Sequence, residues 1–297
     1  MPAKSSGRIT AQTPLGPALQ AWESFLYDQG RSPNTVKAFL SDVRLLIQFL
    51  RPDQTVGAVT TRDLDRFFHW MEKERDVPCS PKTLARRITA TKSFFRWLDK
   101  YGVLPTDPAE KVVQRSAVSP LPQVLSEDEV NMALAAADRH RRGLKPDARS
   151  FTLLALLLST GIKKSECLGI HLNHIDLSAQ AGPQVFIRYS SPANRYKERK
   201  LGLPDEWISA YSDYLEQYNP VDQLFPWSPR RLEYLLEDIG EEAGLKKHLS
   251  FDMCRWTCAL QDFVAGTEPD RVRQKMGVSK IQWREIHLKL RQLADAA

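Results

Sequence analysis

Positive side chains at helical spacing are the first place where this sequence can do chemistry. Lys82, Arg86, Arg87, Lys92 and Arg96 fall opposite an apolar stripe of Leu84, Ile88, Thr91, Phe95 and Leu98. Lys37 and Arg44 extend such a face from the preceding segment. Lysine neutralises a phosphate as a point charge, and arginine adds a planar fork that grips two oxygens or reads a guanine edge. The chemistry implied is the holding of a polyanion. A solvated helix face is the other reading of the same pattern.

A second group lies further along the chain. Arg255 sits within Phe251-Asp252-Met253-Cys254-Arg255-Trp256-Thr257, where it can bind a phosphate or form a structural ion pair. Lys163 follows a glycine in Thr160-Gly161-Ile162-Lys163-Lys164-Ser165-Glu166, and Lys197 and Lys200 border a polar, basic turn. Gly277-Val278-Ser279 leads into a last helical stretch carrying Trp283 and His287. An indole N–H can donate a hydrogen bond, but core packing is the better reading of Trp283. Cys167, His171 and His174 follow one another at helical spacing, and Cys254 and Cys258 lie one turn apart. No fourth ligand is evident, so packing is the reading adopted, and neither a metal nor a cofactor is expected.

These groups need elements to position them. Residues 1–16 are polar, with glycine and proline, and read as a flexible arm. Helical periodicity begins near Pro17 with Leu19, Trp22, Phe25 and Leu26. A second helix follows Ser32-Pro33-Asn34-Thr35, a third runs from Thr61 to Glu74, and a fourth opens at Ser80-Pro81 and ends at Gly102. Four prolines in 105–122 mark a linker. Ser126-Glu127-Asp128-Glu129 is a capping box that opens a second domain, 123–297. Phe151 to Leu158 is the expected centre of its core. Ile175 to Leu177, Val185 to Tyr189 and Lys200 to Leu203 are short strand candidates, with the turn Ser190 to Arg199 between the last two. Ser228-Pro229 caps a helix over 230–243, and the remainder is helical.

The bulk properties agree. A chain of 297 residues with 42% hydrophobic residues can bury two cores and is not a disordered polymer. No apolar run reaches the length of a membrane span, and the first residues lack the apolar core of a signal peptide. Four cysteines without a disulfide framework suit a reducing cytosol, so a cytoplasmic, nucleoid-associated location is expected. The net charge is +6, and its distribution is uneven. Residues 1–118 hold 18 Lys and Arg against 12 Asp and Glu, whereas the rest holds 24 of each. A basic first domain, 17–104, joined to a neutral second one suggests that the first grips the polyanion.

The motifs, in this order and spacing, resemble the tyrosine recombinases of the phage integrase family, nearest the Xer type. Arg31-Ser32-Pro33-Asn34-Thr35 and Ser93-Phe94-Phe95-Arg96-Trp97-Leu98 are similar to the core-binding domain, and Asp107-Pro108-Ala109-Glu110 to the residues before the linker. Leu121-Pro122-Gln123-Val124-Leu125-Ser126 resembles the start of the catalytic domain, 160–166 its first box, and Lys197-Glu198-Arg199 its basic hairpin. The resemblance implies a mainly α fold with a small β-sheet: a four-helix, SAM-like core-binding domain and an α+β domain of the recombinase catalytic type. In that family a tyrosine attacks a DNA phosphodiester, two arginines clamp the phosphate, a hairpin lysine protonates the leaving oxygen, and histidines or a tryptophan assist. Laid on without gaps, the resemblance puts Lys163 and Arg255 on the arginines, Asp252 and Val278 on the histidines, and His287 on the tyrosine. The hairpin lysine falls on Asn194 in strict register, with Lys197 and Lys200 beside it.

The frame of a strand-joining enzyme is therefore expected with most of its reactive atoms replaced. Lys163 loses the guanidinium fork. Asp252 brings a carboxylate that would repel phosphate or neutralise Arg255, and Val278 has no proton to offer. Phosphoryl transfer needs an activated nucleophile and fixed positive charge where negative charge grows. The leading reading is a double-stranded DNA-binding protein that does not cut, acting as an accessory, architectural or regulatory factor in recombination or mobile-element biology. Its DNA contacts would come from Lys37, Arg44, Lys82, Arg86, Arg87, Lys92, Arg96, Lys163, Lys197 and Arg255. Two alternatives stand beside it: an active site-specific recombinase with divergent catalytic residues, and a protein-interaction module that has lost DNA. Leu288, Leu290 and Leu293 give the C-terminal tail an apolar side that docks in cis, or in trans on another copy or on an active recombinase or transposition protein.

Overall fold

The computed structural model describes residues 9–51, 53–115 and 120–296. The chain divides into two compact units, residues 1–120 and 121–297.

Among the described residues the first unit holds four α-helices: α1 (Leu15–Asp28), α2 (Pro33–Leu50), α3 (Thr61–His69) and α4 (Pro81–Lys100). Their starts are set by local chemistry. Ser32 and Ser80 each accept the backbone N–H three residues on, with proline at the first helical position. Thr60 and Asp63 close a reciprocal capping box on α3. Trp22, Phe67, Phe94, Phe95 and Leu46 are fully buried between the helices. The expected third helix is not uniform. It loosens into a π-helical turn over Trp70–Glu74, next to the half-buried ring of Trp70.

Within the expected arm and linker, the described residues 9–16 and 105–115 are docked on the unit. Residues 1–8 lie outside the described residues, but the strand-like stretch after them is docked. Val56 N donates to Thr13 O at 2.9 Å, Leu15 N to Gln54 O at 3.0 Å, and Leu15 is fully buried. The first half of the proline-rich segment is also fixed to the unit. Ala109 and Val112 are buried, Thr61 Oγ1 donates to Pro108 O at 2.8 Å, and Arg115 pairs with Glu72 at 2.6 Å. Proline content marks the absence of helix there, not the absence of packing.

The second unit begins with α5 (Glu127–Arg142), opened by the Ser126–Glu129 capping box, and α6 (Arg149–Thr160). A short α7 (Lys164–Leu168) leads to an antiparallel sheet of β1 (Ile175–Asp176), β2 (Gln184–Ile187) and β3 (Arg199–Gly202), in spatial order β1-β2-β3. The turn between β2 and β3 contains a 3₁₀ helix over Pro192–Lys197. Five helices follow: α8 (Asp205–Tyr218), α9 (Pro229–Glu242), α10 (Phe251–Val264), α11 (Pro269–Lys275) and α12 (Lys280–Asp295). Helix α6 is buried along nearly its whole length and packs against α5, α8 and α10.

Helix α8 has only weak local signals, Asp205 and Glu206 in its first turn and a left-handed Asn219 at its end. It has no side-chain cap, and its buried set is aromatic with polar tips. Two of those tips are satisfied by tertiary partners: Trp207 Nε1 donates to Thr152 O at 2.9 Å and Tyr214 OH to Leu224 O at 2.5 Å. A smaller apolar cluster joins α10, α11 and α12 through Leu260, Val272, Met276, Val278 and Leu290. Among the described residues no helix is long and apolar enough to cross a membrane.

Candidate phosphate-binding site

Helix α6 stops at Gly161, whose φ of +60° is left-handed. A Cβ there would lie 3.2 Å from Cys258 Sγ on α10, so the turn also packs tightly against that helix. The stop turns the chain so that Lys163 precedes α7. Glu166 reaches back to accept Lys163 N–H at 2.9 Å. Its side chain is 1% exposed and meets Arg199 of β3 in a two-pronged pair, Nη2–Oε2 at 2.9 Å and Nη1–Oε1 at 3.1 Å. Tyr189 OH donates to the same carboxylate. Burial alone would raise the Glu166 carboxyl, but the Arg199 guanidinium and these donors hold it down at about 2.

Arg199, Arg255 and Lys163, together with Arg273 of α11, share one structural task. Four successive carbonyls at and after the end of α11 each accept from a basic side chain. Arg199 Nε reaches Lys275 O at 2.6 Å, and Arg255 Nη2 reaches Met276 O at 2.5 Å. Lys163 Nζ reaches Gly277 O at 3.1 Å, and Arg273 Nη1 reaches Val278 O at 3.1 Å. A helix end leaves carbonyls unsatisfied and carries partial negative charge, so cations suit it. Gly277, at φ +58°, permits the approach: a Cβ there would sit 2.5 Å from Arg199 Nη1.

Arg255 is 7% exposed and also donates to Gly161 O at 2.5 Å. Burial lowers its pKa, with Glu166 opposing. The expected pairing with Asp252 does not form among the described residues, because these guanidinium donors are turned to backbone carbonyls. Both residues line a cleft of about 520 Å³ with Lys163, Lys164, Arg230 and Glu233. Burial pushes the Lys163 amine down to about 8; Glu166 opposes this, and Arg255, Lys197 and Arg199 add to it. Lys164 pairs with Glu233 at 2.6 Å, and Arg230 approaches the same carboxylate at 3.5 Å. The cleft thus offers Lys163 and Arg255 to an anion, with part of the surrounding positive charge already neutralised.

The other positions are placed differently. Val278 is buried in the α10–α12 cluster. His287 stacks on Trp283 with centroids 5.5 Å apart and meets Phe263 edge-on at 5.6 Å. Trp283 is half-buried in that cluster. Leu290 is buried in the same cluster and Leu293 is half-buried against it, so this side of the tail docks in cis, while Leu288 is 60% exposed. Lys197 Nζ donates to Asn194 Oδ1 at 2.8 Å and lies over the Tyr189 and Tyr196 rings, and Lys200 is exposed. Cys167, Cys254 and Cys258 are buried thiols, their pKa values raised first by burial.

In the first unit the basic face is narrower than its spacing predicts. Asp42 of α2 is buried and draws Arg86 to 2.5 Å and Arg87 to 3.5 Å. The Arg87 side chain is only 14% exposed. Lys92 Nζ donates to Val112 O at 2.6 Å and Glu110 O at 3.1 Å. A helical projection contains neither the acid on the neighbouring helix nor the returning chain, so it shows these three as unbonded; Arg86 stays exposed but ion-paired. Lys37, Arg44, Lys82 and Arg96 are exposed. Sequence motifs alone also give Glu166, Tyr189 and Arg199 no role. The strand alternation that turns Leu201 inward turns Arg199 inward too, and this is the available signal.

Residues 19–102 match the model of the phage integrase N-terminal SAM-like domain, and residues 123–288 match that of the phage integrase family. The chain belongs to the phage integrase family. It is 32% identical to tyrosine recombinase XerC of Mycobacterium sp. (strain JLS) over 193 residues, 63% of this chain and 62% of that relative. It is equally identical to XerC of Mycobacterium tuberculosis (strain ATCC 25177 / H37Ra) over 177 residues, 59% of this chain and 57% of the relative. These matches therefore span less than two thirds of the relatives' own length. Among solved structures, the fold is similar to XerH site-specific recombinase bound to a palindromic difH substrate in a post-cleavage complex. The TM-score is 0.72 at 18% identity, covering 96% of each chain. A lambda integrase dimer bound to a COC′ core site gives a TM-score of 0.70 at 13% identity, covering 92% of this chain and 77% of that one.

Proposed function

We propose that this phage integrase family member binds double-stranded DNA without cleaving or rejoining it, and serves recombination as an accessory, architectural or regulatory factor. The observation that carries this reading is the setting of His287. Where the resemblance calls for an attacking hydroxyl, an imidazole lies between Trp283 and Phe263, and within these 297 residues no tyrosine follows Tyr234. Val278 offers no proton, and the lysine at 163 lacks a bidentate fork. Lys163 and Arg255 remain able to contact a phosphate through the donors that their carbonyl bonds leave over. The exposed Lys37, Arg44, Lys82 and Arg96 supply the sequence-independent attraction.

The test is a duplex pool selected for binding, followed by a nicked suicide version of the selected site. The expected result is a salt-sensitive retarded band on a native gel and free protein on a denaturing gel. A denaturation-resistant protein–DNA adduct would establish the divergent enzyme instead. Absence of binding to any duplex at low salt would favour the interaction module.

A further inference from the structure

A second cleft, of about 800 Å³, is bordered by Glu166 and, unlike the first, does not include Arg255 in its lining. His171 and His174 line it from the segment after α7, and Arg188, Tyr189, Arg195 and Glu198 from the β2–β3 turn. Its two arginines are exposed, and neither forms an ion pair among the described residues. Arg188 only stacks over Phe186 at 5.2 Å.

The acids nearby are largely occupied. Both oxygens of Glu166 are held by Arg199, and Glu198 Oε1 accepts Tyr189 N–H at 2.9 Å. Asp222 Oδ1 is 2.8 Å from His171 Nδ1. His174 Nδ1 accepts His171 N–H at 3.3 Å, which fixes the neutral ring with its proton on Nε2. Burial favours that neutral form, and His171 and Arg188 add to it against Asp222. A donor N–H and two guanidinium forks thus share one cavity. Among the described residues, Glu198 is its only carboxylate not bound to a cation or an imidazole.

We infer that this cleft binds a phosphate group, gripped by Arg188 and Arg195 and hydrogen-bonded by His174 Nε2–H. Planar guanidinium forks match phosphate oxygens, and the volume is within the range of nucleotide-sized sites. The phosphate can belong to a duplex backbone or to a free nucleotide. Only the duplex source rests on the DNA-binding reading above.

The experiment uses the full chain. The ring C–H signals of His171 and His174 are followed by NMR during titration with inorganic phosphate, a mononucleotide and a short duplex. In parallel, duplex affinity is measured against salt for the parent and for Arg188→Ala/Arg195→Ala. The inference expects saturable shifts at His174 with inorganic phosphate, abolished in the double variant. A duplex source further expects the log–log salt slope to fall by about 0.9, the value for one phosphate neutralised. Phosphate-dependent shifts with an unchanged salt slope assign the site to free nucleotides. Ring signals unmoved by all three ligands overturn the site, even if the parent binds duplex well. If the parent binds no duplex, the DNA reading fails, and the phosphate titration still decides the cleft. His174→Gln, which keeps a donor but not the ring, must retain part of the phosphate affinity, read by calorimetry.

Discussion

At the residue scale, Glu166 ties three segments together, accepting from Lys163 N–H, Tyr189 OH and the Arg199 guanidinium. Its pKa of about 2 lies below the ordinary value of 4.5. A carboxyl depressed in the folded state contributes stability that is fully present above about pH 4.5 and is lost as pH falls towards 2. The shift corresponds to about 3 kcal/mol. Glu166→Gln also leaves Arg199 buried without its counter-charge, so a loss of roughly 3–5 kcal/mol at pH 7 is expected. Urea unfolding between pH 3 and 7 checks both parts: the variant must be less stable at neutral pH and must lose less on acidification. Lys163 makes a separate prediction. With its amine at about 8 in the free protein, duplex affinity should fall as pH rises through 8, and Lys163→Arg should flatten the profile. Anisotropy from pH 6.5 to 9.5 at fixed ionic strength measures this. An identical step in the variant would remove Lys163 from the binding surface.

At the element scale, what the sequence discloses depends on how local the determinant is. Helices α2, α4 and α5 carry their own start signals in Ser32, Ser80 and Ser126, and α6 declares itself as an apolar run. Helix α8 lacks such a cap, and Trp207 and Tyr214 become core residues only when carbonyls outside the helix accept their donors. The site divides in the same way. Lys163, Asp252, Arg255 and the Gly277 turn are legible as motifs. The Glu166–Arg199 pair spans 33 positions and is visible only in three dimensions. The turn after α11 tests this arrangement. Gly277→Ala meets a left-handed φ and an Arg199 nitrogen at 2.5 Å, so the guanidinium must leave Lys275 O or the turn must move. A loss of about 1–3 kcal/mol is expected. Trp283 lies on the helix that this turn launches, so its fluorescence should change with the melting temperature. A variant as stable as the parent would show that the four cation–carbonyl bonds do not fix α12.

At the scale of the whole molecule, the question is how much of the positive charge is free to act on a polyanion. The excess of basic residues is confined to 1–118. Inside that unit, Arg86 and Arg87 answer the buried Asp42, Arg115 answers Glu72, and Lys92 is held by two carbonyls of the returning chain. Counting charge along the sequence therefore overstates the attractive surface, because several cations are engaged by the fold itself. Of the seven basic residues predicted for the DNA face of this unit, those that stay exposed without such a bond are Lys37, Arg44, Lys82 and Arg96. Two sets of substitutions separate the roles. Neutralising the four outward residues to Gln should leave the melting temperature nearly unchanged, since exposed changes of this kind stay within about 0.5 kcal/mol. It should also lower the salt slope of duplex binding, by about 0.9 for each phosphate no longer neutralised. Replacing Arg87 and Lys92 by Met should do the reverse: the buried Asp42 loses a partner and the docked segment loses its tether, so stability falls by roughly 1–3 kcal/mol while the slope changes little. Parallel thermal melts and salt titrations read both sets. If the second set lowers the slope as much as the first without loss of stability, the internal bonds of Arg87 and Lys92 yield to DNA, and the wider basic face predicted from helical spacing is the one that binds.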